Sequence, residues 1–220
     1  MPALNNENAS LILASTSPRR RELVALLGLP FQFASVDVDE SAQPNESPAE
    51  LVRRLSHAKA QSGVRQYRDA IVVAADTVVA LDDSILGKPS DAADAVRMLQ
   101  LLRGRAHVVY TGLAIARDQR ETQEIVTTTV WMRDYSDAEI AAYIATGDPL
   151  DKAAAYAIQH SAFHPVARIE GCYSNVMGLP LCRLYLGLKE FGVDVPRPKT
   201  IFQNSIEASC PVARAVISIQ

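Results

Sequence analysis

Apolar and polar positions along the chain alternate in the manner of strands that are each followed by a helix. Residues 10–16 (SLILAST) form a short apolar run between small polar residues, which predicts a buried strand. Ser17 then offers an N-cap hydroxyl, and Pro18 suits the first helical position. Leucines at helical spacing continue to Gly28, a residue typical of a helix end. The first unit is therefore predicted to be strand, tight turn and helix.

Later segments repeat this alternation. A capping box at 47–50 opens a helix whose last turns carry Lys59, which by itself is most simply a solvated lysine. The β-rich runs 107–116 and 122–132 flank a polar turn and predict a long antiparallel hairpin. The remaining expected elements are strands at 31–38, 156–159 and 166–170, helices at 90–102 (capped by Ser90), 136–146 and 180–191, a turn into a helix at 147–152 and a loop at 171–178.

A continuous apolar run at 70–81 (AIVVAADTVVAL) predicts a central strand that is covered on both faces. Its only polar members, Asp76 and Thr77, lie in the middle. An ionised carboxylate at such a position loses hydration worth several kcal/mol unless a cation or metal compensates. We therefore interpret Asp76 as a functional acid, while an aspartate locked in a hydrogen-bond network stays the alternative.

The turn after this strand indicates which residues return to its middle. If the Asp82-Asp83 pair forms a two-residue hairpin turn, Thr77 faces Lys88 and Asp76 faces Pro89. A three-residue turn would shift this register by one position. The pattern thus predicts that Lys88 lies near Asp76, without specifying a contact.

Three consecutive arginines, 19–21, lie in the first turn of the first predicted helix. Cations are unfavourable there unless an anion joins them, because a helix N-terminus already carries free N–H groups and positive dipole charge. One interpretation is a phosphate site built from the hydroxyls of Ser15 and Ser17 and the guanidinium groups of Arg19 and Arg20. The other is that the arginines extend into solvent.

Composition narrows the class of protein. The 220 residues, 48% of them hydrophobic, suffice for a sizeable core in one large domain or two intimate lobes. With 22 basic and 25 acidic residues the net charge is −3, so no nucleic-acid partner is expected. Three widely spaced cysteines argue against a disulfide scaffold or zinc site and suit the cytoplasm. No apolar run approaches a membrane span, and residues 1–9 lack the features of a signal peptide.

Strands alternating with helices, together with one long hairpin, predict an α/β protein with a mixed sheet. The candidate chemical groups follow strand ends, where such sheets usually bind ligands. They are cations suited to phosphate and two carboxylates suited to a hard divalent cation. Neither a P-loop nor a GxGxxG dinucleotide motif is present. The residue pattern alone thus predicts a phosphate-handling α/β enzyme.

Seven motifs taken in order extend this prediction. They are 13–20 (LASTSPRR), 39–40 (DE), 58–60 (AKA), 75–78 (ADTV), 87–89 (GKP), 147–152 (GDPLDK) and 176–180 (VMGLP). From about residue 11 to residue 192 the chain closely resembles the Maf family of nucleoside triphosphate pyrophosphatases. The segments outside that range carry no such resemblance.

The resemblance implies a two-lobed α/β fold related to inosine triphosphate pyrophosphatases, with a mixed twisted sheet, flanking helices and a nucleotide in the cleft. It implies hydrolysis between the α- and β-phosphates of a nucleoside triphosphate, with Mg²⁺ or Mn²⁺ as cofactor. By similarity Asp76 is the proton acceptor, with Glu40 beside it at the metal, and Arg19, Lys59 and Lys88 face the phosphates. Because such proteins are often dimeric, a homodimer is an expected state.

The resemblance also bears on the base. Members of the family divide into a group acting on dTTP and UTP and a sibling group acting on 7-methyl-GTP. Arg19, Thr77 and Gln159 match the pyrimidine group at the positions that tune base choice. An amide such as that of Gln159 offers both a donor and an acceptor, which suits the edge of uracil or thymine. Hydrolysis of dTTP and UTP is therefore the expected activity, with 7-methyl-GTP as the alternative substrate.

The expected organisation is a flexible leader (1–9), a single catalytic domain (10–192) and a tail of unknown role (193–220). Two functions of other classes stay open. A non-catalytic nucleotide-binding regulator of cell division would bind triphosphate without forming monophosphate. A metal-dependent phosphatase would use the same carboxylates but release orthophosphate and leave a diphosphate.

Overall fold

Seven strands of the described residues form one mixed sheet. The computed structural model describes residues 10–82 and 84–196, so the predicted leader and residues 197–220 of the predicted tail lie outside it. The strands are β1 (Leu11–Ala14), β2 (Phe31–Ala34), β3 (Ile71–Leu81), β4 (Ser84–Leu86), β5 (Ala106–Arg117), β6 (Arg120–Met132) and β7 (Val166–Glu170). Their order across the sheet is β2-β1-β3-β5-β6-β7, and β4 pairs with β3.

Six helices flank this sheet within the same residues. They are α1 (Pro18–Ala25), α2 (Pro48–Gln66), α3 (Ala92–Leu102), α4 (Asp137–Ala145), α5 (Tyr173–Val176) and α6 (Leu181–Glu190), and two 3-10 turns cover Asp148–Asp151 and Ala153–Ala155. The predicted capping boxes at Ser47 and Ser136 are both present. No helix in the described part is long and apolar enough to cross a membrane.

The pairing pattern confirms the α/β class with a mixed sheet. Strand β1 runs parallel to both β2 and β3, whereas β3, β5, β6 and β7 pair antiparallel in succession. The long β5–β6 hairpin is present as predicted, with Arg117 opposite Arg120 across a two-residue turn. Parallel neighbours joined through helices lie at one end of the sheet and hairpins at the other.

Strand β3 has one edge that is only partly paired. Its other edge is paired with β5 over residues 72–80, so β1 and β4 must share the remaining edge. There β1 pairs with residues 71–73 and β4 with residues 79–81. Asp76 and Thr77 lie in the interval between these two neighbours. This interruption of the sheet opens a cleft at the two polar residues of β3.

The predicted β3–β4 register is confirmed over the residues that pair, since Val79 lies opposite Leu86. The pairing ends there, so Lys88 is not a strand partner of Thr77. Instead Thr77 lies opposite Thr111 and Asp76 opposite Gly112, both on β5. The predicted proximity of Lys88 is retained, because its side chain lines the same cleft as Asp76.

Apolar residues on one face of the sheet divide into two clusters. The first includes Ala75 and packs under α1 and α6, and the second includes Val79 and packs under α3 and α4. Because successive strand residues alternate between faces, Thr77 lies on this face, between the two clusters. Asp76 faces the opposite side, where Val72 and Ala74 belong to a third cluster under α2.

Several predicted elements differ from the structure. Strand β2 ends at Ala34 and residues 156–159 form no strand, whereas residues 171–178, predicted as a loop, contain helix α5. The N-cap of α3 is Asp91, not Ser90, because the Asp91 carboxylate accepts a hydrogen bond from the Asp94 N–H at 2.8 Å.

The predicted helix opening at residues 147–152 is also wrong. The segment is a 3-10 turn, and its N-cap is Gly147 in a left-handed conformation with φ of 74°. The Asp148 side chain caps nothing there; it binds Lys152 and Tyr143 instead. A short, tight turn therefore replaces a helix, because the Asp148 carbonyl oxygen accepts from the Lys152 side chain while the Lys152 N–H bonds to Pro149 O in the 3-10 pattern.

Candidate active site

A cleft of about 650 Å³ opens at the interrupted edge of β3. Residues from β1, α1, α2, β3 and the two 3-10 turns line it. Its lining includes every site residue predicted from the sequence, namely Ser15, Ser17, Arg19, Arg20, Glu40, Lys59, Asp76, Thr77, Lys88 and Gln159. Residues spread over more than 140 positions of sequence therefore meet at one place.

Two carboxylates converge on the ammonium group of Lys59. Its Nζ lies 2.6 Å from Asp76 Oδ1 and 2.7 Å from Glu40 Oε1. Lys59 is 8% exposed and Asp76 is 7% exposed, so the solvated lysine suggested by its helical position is wrong. The desolvation expected of a carboxylate in an apolar strand is here compensated by a buried cation.

Close packing of α2 on the sheet brings Lys59 to Asp76. Gly112, the β5 partner of Asp76, lies so close to α2 that a Cβ there would collide with the Val52 carbonyl oxygen. Gly63, one turn beyond Lys59, is similarly close to the Val72 side chain. Glycine is thus required at both positions for α2 to lie this near the sheet.

The two carboxylates suit a divalent cation. Glu40 and Asp76 already surround one shared positive charge, that of the Lys59 ammonium. Within the described ranges, no group of three or more His, Cys, Asp or Glu side chains is placed to hold a metal ion. Mg²⁺ usually takes one or two carboxylates and completes its shell with water and substrate phosphates. The donor set therefore fits a metal that arrives with a triphosphate.

The three consecutive arginines of α1 take different directions. Arg19 lines the cleft, whereas the exposed Arg21 lies over the ring of Phe33, 4.9 Å from its centroid. Arg20 reaches inward: its Nε donates to Gly178 O at 2.8 Å and its Nη2 donates to Thr77 Oγ1 at 3.0 Å. Burial lowers the pKa of Arg20, and the negative charge of Asp76 opposes that shift. A guanidinium stays protonated even so.

The start of α1 keeps polar groups available to the cleft. Ser17 is the N-cap residue, as predicted, but its hydroxyl makes no capping hydrogen bond. The Ser15 hydroxyl accepts a bond from the Ser17 N–H at 3.2 Å and retains its own hydrogen as a donor. Pro18 has no N–H, which suits the first helical position. Both serine side chains line the cleft, where their hydroxyls can meet an anion.

Charges in the cleft are balanced within the described residues. The lining carries five cationic side chains (Arg19, Arg20, Lys59, Lys88 and Lys152) and five acidic ones (Glu22, Glu40, Asp76, Asp148 and Asp151). Arg20, Lys59 and Lys152 are bonded to protein groups. The side chains of Arg19 and Lys88 make no hydrogen bond or ion pair in the described part of the chain. These two cations are therefore free to bind an incoming anion.

The sequence interpretation missed a second charged cluster. Lys152 is buried, and its Nζ donates to Asp148 O at 2.7 Å and lies 2.8 Å and 2.6 Å from the carboxylates of Asp148 and Asp151. Tyr143 donates to the other Asp148 oxygen at 2.7 Å. In the sequence, these residues were interpreted as the signals of a helix start. The GDPLDK motif, one of the seven ordered motifs, is the signal that could have identified them as part of the site.

A buried histidine supports the wall of the cleft. His107 Nε2 lies 2.7 Å from the hydroxyl oxygen of Tyr156, which lines the cleft three residues before Gln159. His107 is buried on β5, and none of the residues that the structure describes forms a hydrogen bond with its Nδ1. Burial lowers the pKa of His107 from 6.5 to about 4. The imidazole is therefore neutral at pH 7.

This histidine predicts a pH dependence of stability. Its folded-state pKa is lower than its unfolded one, so its stabilising contribution is present above pH 6.5 and is lost as the pH falls toward 4. We expect the free energy of unfolding of the wild type to fall about 2 kcal/mol further between pH 7 and pH 5 than that of His107→Gln. Urea titrations at both pH values measure this difference.

The matched control is His164→Asn, which removes an exposed histidine whose positive φ of 44° asparagine tolerates. That variant should keep the wild-type slope. A His107→Gln protein that loses stability with falling pH as steeply as the wild type would contradict the assigned neutral, buried state.

The chain is similar in sequence to known proteins over most of its length. The family model described as Maf-like protein matches residues 10–191. A relative from Citrifermentans bemidjiense, named dTTP/UTP pyrophosphatase, is 45% identical over 188 residues, which cover 84% of this chain and 97% of that protein. A relative from Moorella thermoacetica with the same name is 47% identical over 189 residues, covering 85% and 97%.

Among solved structures, one described as "Structure of a HAM1 protein from Coxiella burnetii" aligns with a TM-score of 0.47 and 14% sequence identity, covering 83% of this chain and 100% of that chain. The family model and the sequence relatives each span more than four fifths of the chain. The chain therefore belongs to the Maf family.

Proposed function

We propose that this chain hydrolyses dTTP and UTP between the α- and β-phosphates in the cytoplasm, giving the nucleoside monophosphate and pyrophosphate. The observation that carries the proposal is the convergence of two carboxylates, the cations of Arg19 and Lys88 and a helix N-terminus in one cleft. Relatives at 45–47% identity bear the name dTTP/UTP pyrophosphatase. The volume of about 650 Å³ lies within the range of small-molecule sites.

Triphosphate binding follows from the unpaired groups of the cleft. Arg19 offers a planar fork of donors to phosphate oxygens, and Lys88 offers a compact ammonium. The hydroxyls of Ser15 and Ser17 and the first turn of α1 add neutral donors at the same wall. Since the cleft itself carries balanced charge, most of the negative charge of a triphosphate has to be neutralised by groups that enter with it.

Mg²⁺ or Mn²⁺ fits this requirement, and Glu40 and Asp76 would hold it. When bound, such an ion supplies positive charge at the phosphates and lowers the pKa of a nearby water. Lys59 lies between the same two carboxylates and holds them in place. Lys59 also lines the cleft, so its ammonium can contact a phosphate oxygen once Glu40 and Asp76 bind the metal ion.

Asp76 is the proton acceptor in the proposed reaction. A water molecule gives a proton to the Asp76 carboxylate as its oxygen forms a bond to the α-phosphorus. The bond from the α-phosphorus to the bridging oxygen breaks, and pyrophosphate leaves with the electron pair. Lys88 faces the negative charge that develops on the leaving group, and Arg19 binds phosphate before and during bond cleavage. The proton on Asp76 returns to solvent after the products depart.

Gln159 is proposed to select the base of the substrate. It is exposed and lines the cleft beyond Tyr156, so its amide is available to a ligand. A site that hydrogen-bonds the donor and acceptor edge of uracil or thymine rejects bases that leave its polar groups unpaired. Thr77 differs from Gln159 in this respect, because its hydroxyl is already bonded to Arg20 and Thr111.

Replacement of Gln159 by leucine tests this assignment. The change removes both amide groups at similar volume, so the ratio of kcat/KM for dTTP over 7-methyl-GTP should fall by roughly tenfold. Gln119→Leu is the matched control, since Gln119 is exposed at the β5–β6 turn, and it should keep the wild-type ratio. A Gln159→Leu enzyme with an unchanged ratio would remove Gln159 from base selection.

A substrate panel tests the proposal as a whole. Wild-type protein is offered dTTP, UTP and 7-methyl-GTP in separate reactions with Mg²⁺, and kcat/KM is measured for each. The proposal predicts that dTTP and UTP both exceed 7-methyl-GTP. A preference for 7-methyl-GTP would place the chain in the sibling group, and binding without turnover of any of the three would indicate a regulator.

A further inference from the structure

Thr111, on β5, is a buried polar residue that does not line the cleft. It is 0% exposed and lies opposite Thr77, between the two apolar clusters that cover this face of the sheet. Its neighbours on the same face, Val109 and Leu113, belong to those clusters. Burying a hydroxyl is unfavourable unless it is hydrogen-bonded. The bonds of Thr111 therefore indicate what the residue does.

The hydrogen bonds of this region run in one direction. A guanidinium has donors only, so Thr77 Oγ1 must accept from Arg20 Nη2 at 3.0 Å. The single hydrogen of Thr77 is then left for Thr111 Oγ1 at 2.9 Å, a better distance than the 3.4 Å to Gly178 O. The hydrogen of Thr111 points in turn to Asn175 O at 3.4 Å, a longer and weaker bond.

The hydrogen bonds of the two threonine hydroxyls end at Asn175, in the same segment that holds Arg20. Asn175 lies in α5, and Gly178, three residues later, accepts from Arg20 Nε at 2.8 Å. The Asn175 amide donates to Thr128 Oγ1 at 2.9 Å and to Val109 O at 3.3 Å, which fixes α5 on the sheet. Arg20 is thus held on one side by the turn after α5 and on the other by the threonines of β3 and β5.

We propose that Thr111 is a positioning residue for Arg20. By accepting the hydrogen of Thr77, it keeps the Thr77 lone pairs turned toward Arg20 Nη2 and thereby fixes the plane of the guanidinium. The remaining N–H groups of Arg20, which lines the cleft, are then presented to phosphate. This inference rests on the proposed function only in that phosphate is the ligand of Arg20.

Removal of the Thr111 hydroxyl has a specific consequence. Without that acceptor, the described residues leave the Thr77 hydrogen one acceptor, Gly178 O, which is the same oxygen that Arg20 Nε uses. Arg20 Nε then shares the Gly178 carbonyl oxygen with Thr77, and the guanidinium is no longer held in one orientation. The expected loss is that of about one hydrogen bond to a charged group, which corresponds to roughly a tenfold weakening of phosphate binding.

The test measures binding of inorganic tripolyphosphate to the full chain by calorimetry in the presence of Mg²⁺, which requires neither a base nor turnover. Thr111→Val removes the hydroxyl at constant shape and should raise the dissociation constant roughly tenfold. Thr111→Ser keeps the hydroxyl and should stay within about twofold of the wild type. Thr111→Ala should behave as Thr111→Val does, which provides a second variant if valine impairs folding.

A double-mutant cycle separates positioning from a general structural effect. In an Arg20→Lys background, which lacks the guanidinium plane, Thr111→Val should cause no further loss of tripolyphosphate affinity. Thr128→Val is the matched control, because it removes a buried hydroxyl that holds the same α5 segment but does not bond to Thr77. It should lower thermal stability and change the dissociation constant less than twofold.

Two results would overturn the inference: equal effects of Thr111→Val in both backgrounds, or equal binding by Thr111→Val and Thr111→Ser. Wild-type protein that fails to bind tripolyphosphate would overturn it together with the phosphate role of the cleft. Tight wild-type binding that depends on Thr111, without hydrolysis of dTTP, would refute only the proposed reaction.

Discussion

Asp76→Asn is expected to lower kcat for dTTP by a factor of roughly 10² or more at saturating Mg²⁺, because an amide cannot accept the proton of water. The fold should persist. Loss of a buried ion-pair partner is costly when it leaves an uncompensated charge, but Lys59 retains Glu40, whose side chain is 63% exposed and in contact with solvent. Steady-state kinetics measure the first effect, and circular dichroism with thermal unfolding measures the second.

The matched control for this variant is Asp118→Asn. Asp118 is exposed at the β5–β6 turn with φ of 55°, a conformation that asparagine adopts readily. It should retain wild-type kcat and stability. Near-normal kcat for Asp76→Asn at saturating metal would show that Asp76 is not the proton acceptor and would leave it the structural role of an ion-pair partner for Lys59.

Replacements of Arg19 and Lys88 are expected to differ in their kinetic effects. Arg19→Ala should raise KM for dTTP roughly tenfold with little change in kcat, as for a guanidinium that binds phosphate equally in the ground and transition states. Lys88→Ala should lower kcat at least roughly tenfold and more than it raises KM, because its ammonium meets charge that develops during bond cleavage. Initial rates over a range of dTTP concentrations separate the two parameters.

The segment that carries Lys88 is fixed at the cleft by a backbone hydrogen bond. The preceding residue, Gly87, accepts a hydrogen bond through its carbonyl from the Ala154 N–H at 2.9 Å, which ties the end of β4 to the 3-10 turns of the cleft. Arg65→Ala, at an exposed position near the end of α2, is the control and should change neither parameter. Small, equal effects of Arg19→Ala and Lys88→Ala would show that both side chains are solvated and do not bind phosphate.

Local signals were sufficient to predict much of the fold. Alternating apolar runs and capping boxes identified β1, β3, the β5–β6 hairpin, α2 and α4, because each of these follows from short-range sequence rules. They failed where hydrogen bonds and ion pairs of side chains decide the conformation. Residues 147–152 have the signals of a helix start, yet Lys152 holds both aspartates in a tight turn.

The candidate site was predicted in its composition but not in its arrangement. An aspartate in an apolar strand and arginines at a helix start are visible in the sequence because each is unfavourable without a partner. The partners themselves come from distant segments, as when Lys59 on α2 meets Asp76 on β3. Thr111 carries no such signal, since threonine is an ordinary strand residue, and only its position opposite Thr77 gives it a role.

Identification of the products formed from dTTP tests the central claim most directly. Wild-type and Asp76→Asn protein are each incubated with dTTP and Mg²⁺, and the nucleotides and phosphates are resolved by anion-exchange chromatography. We predict equal amounts of dTMP and pyrophosphate from the wild type, and at most a trace of either from Asp76→Asn. Formation of dTDP and orthophosphate by the wild type, or of dTMP at similar rates by both proteins, would contradict hydrolysis between the α- and β-phosphates with Asp76 as the proton acceptor.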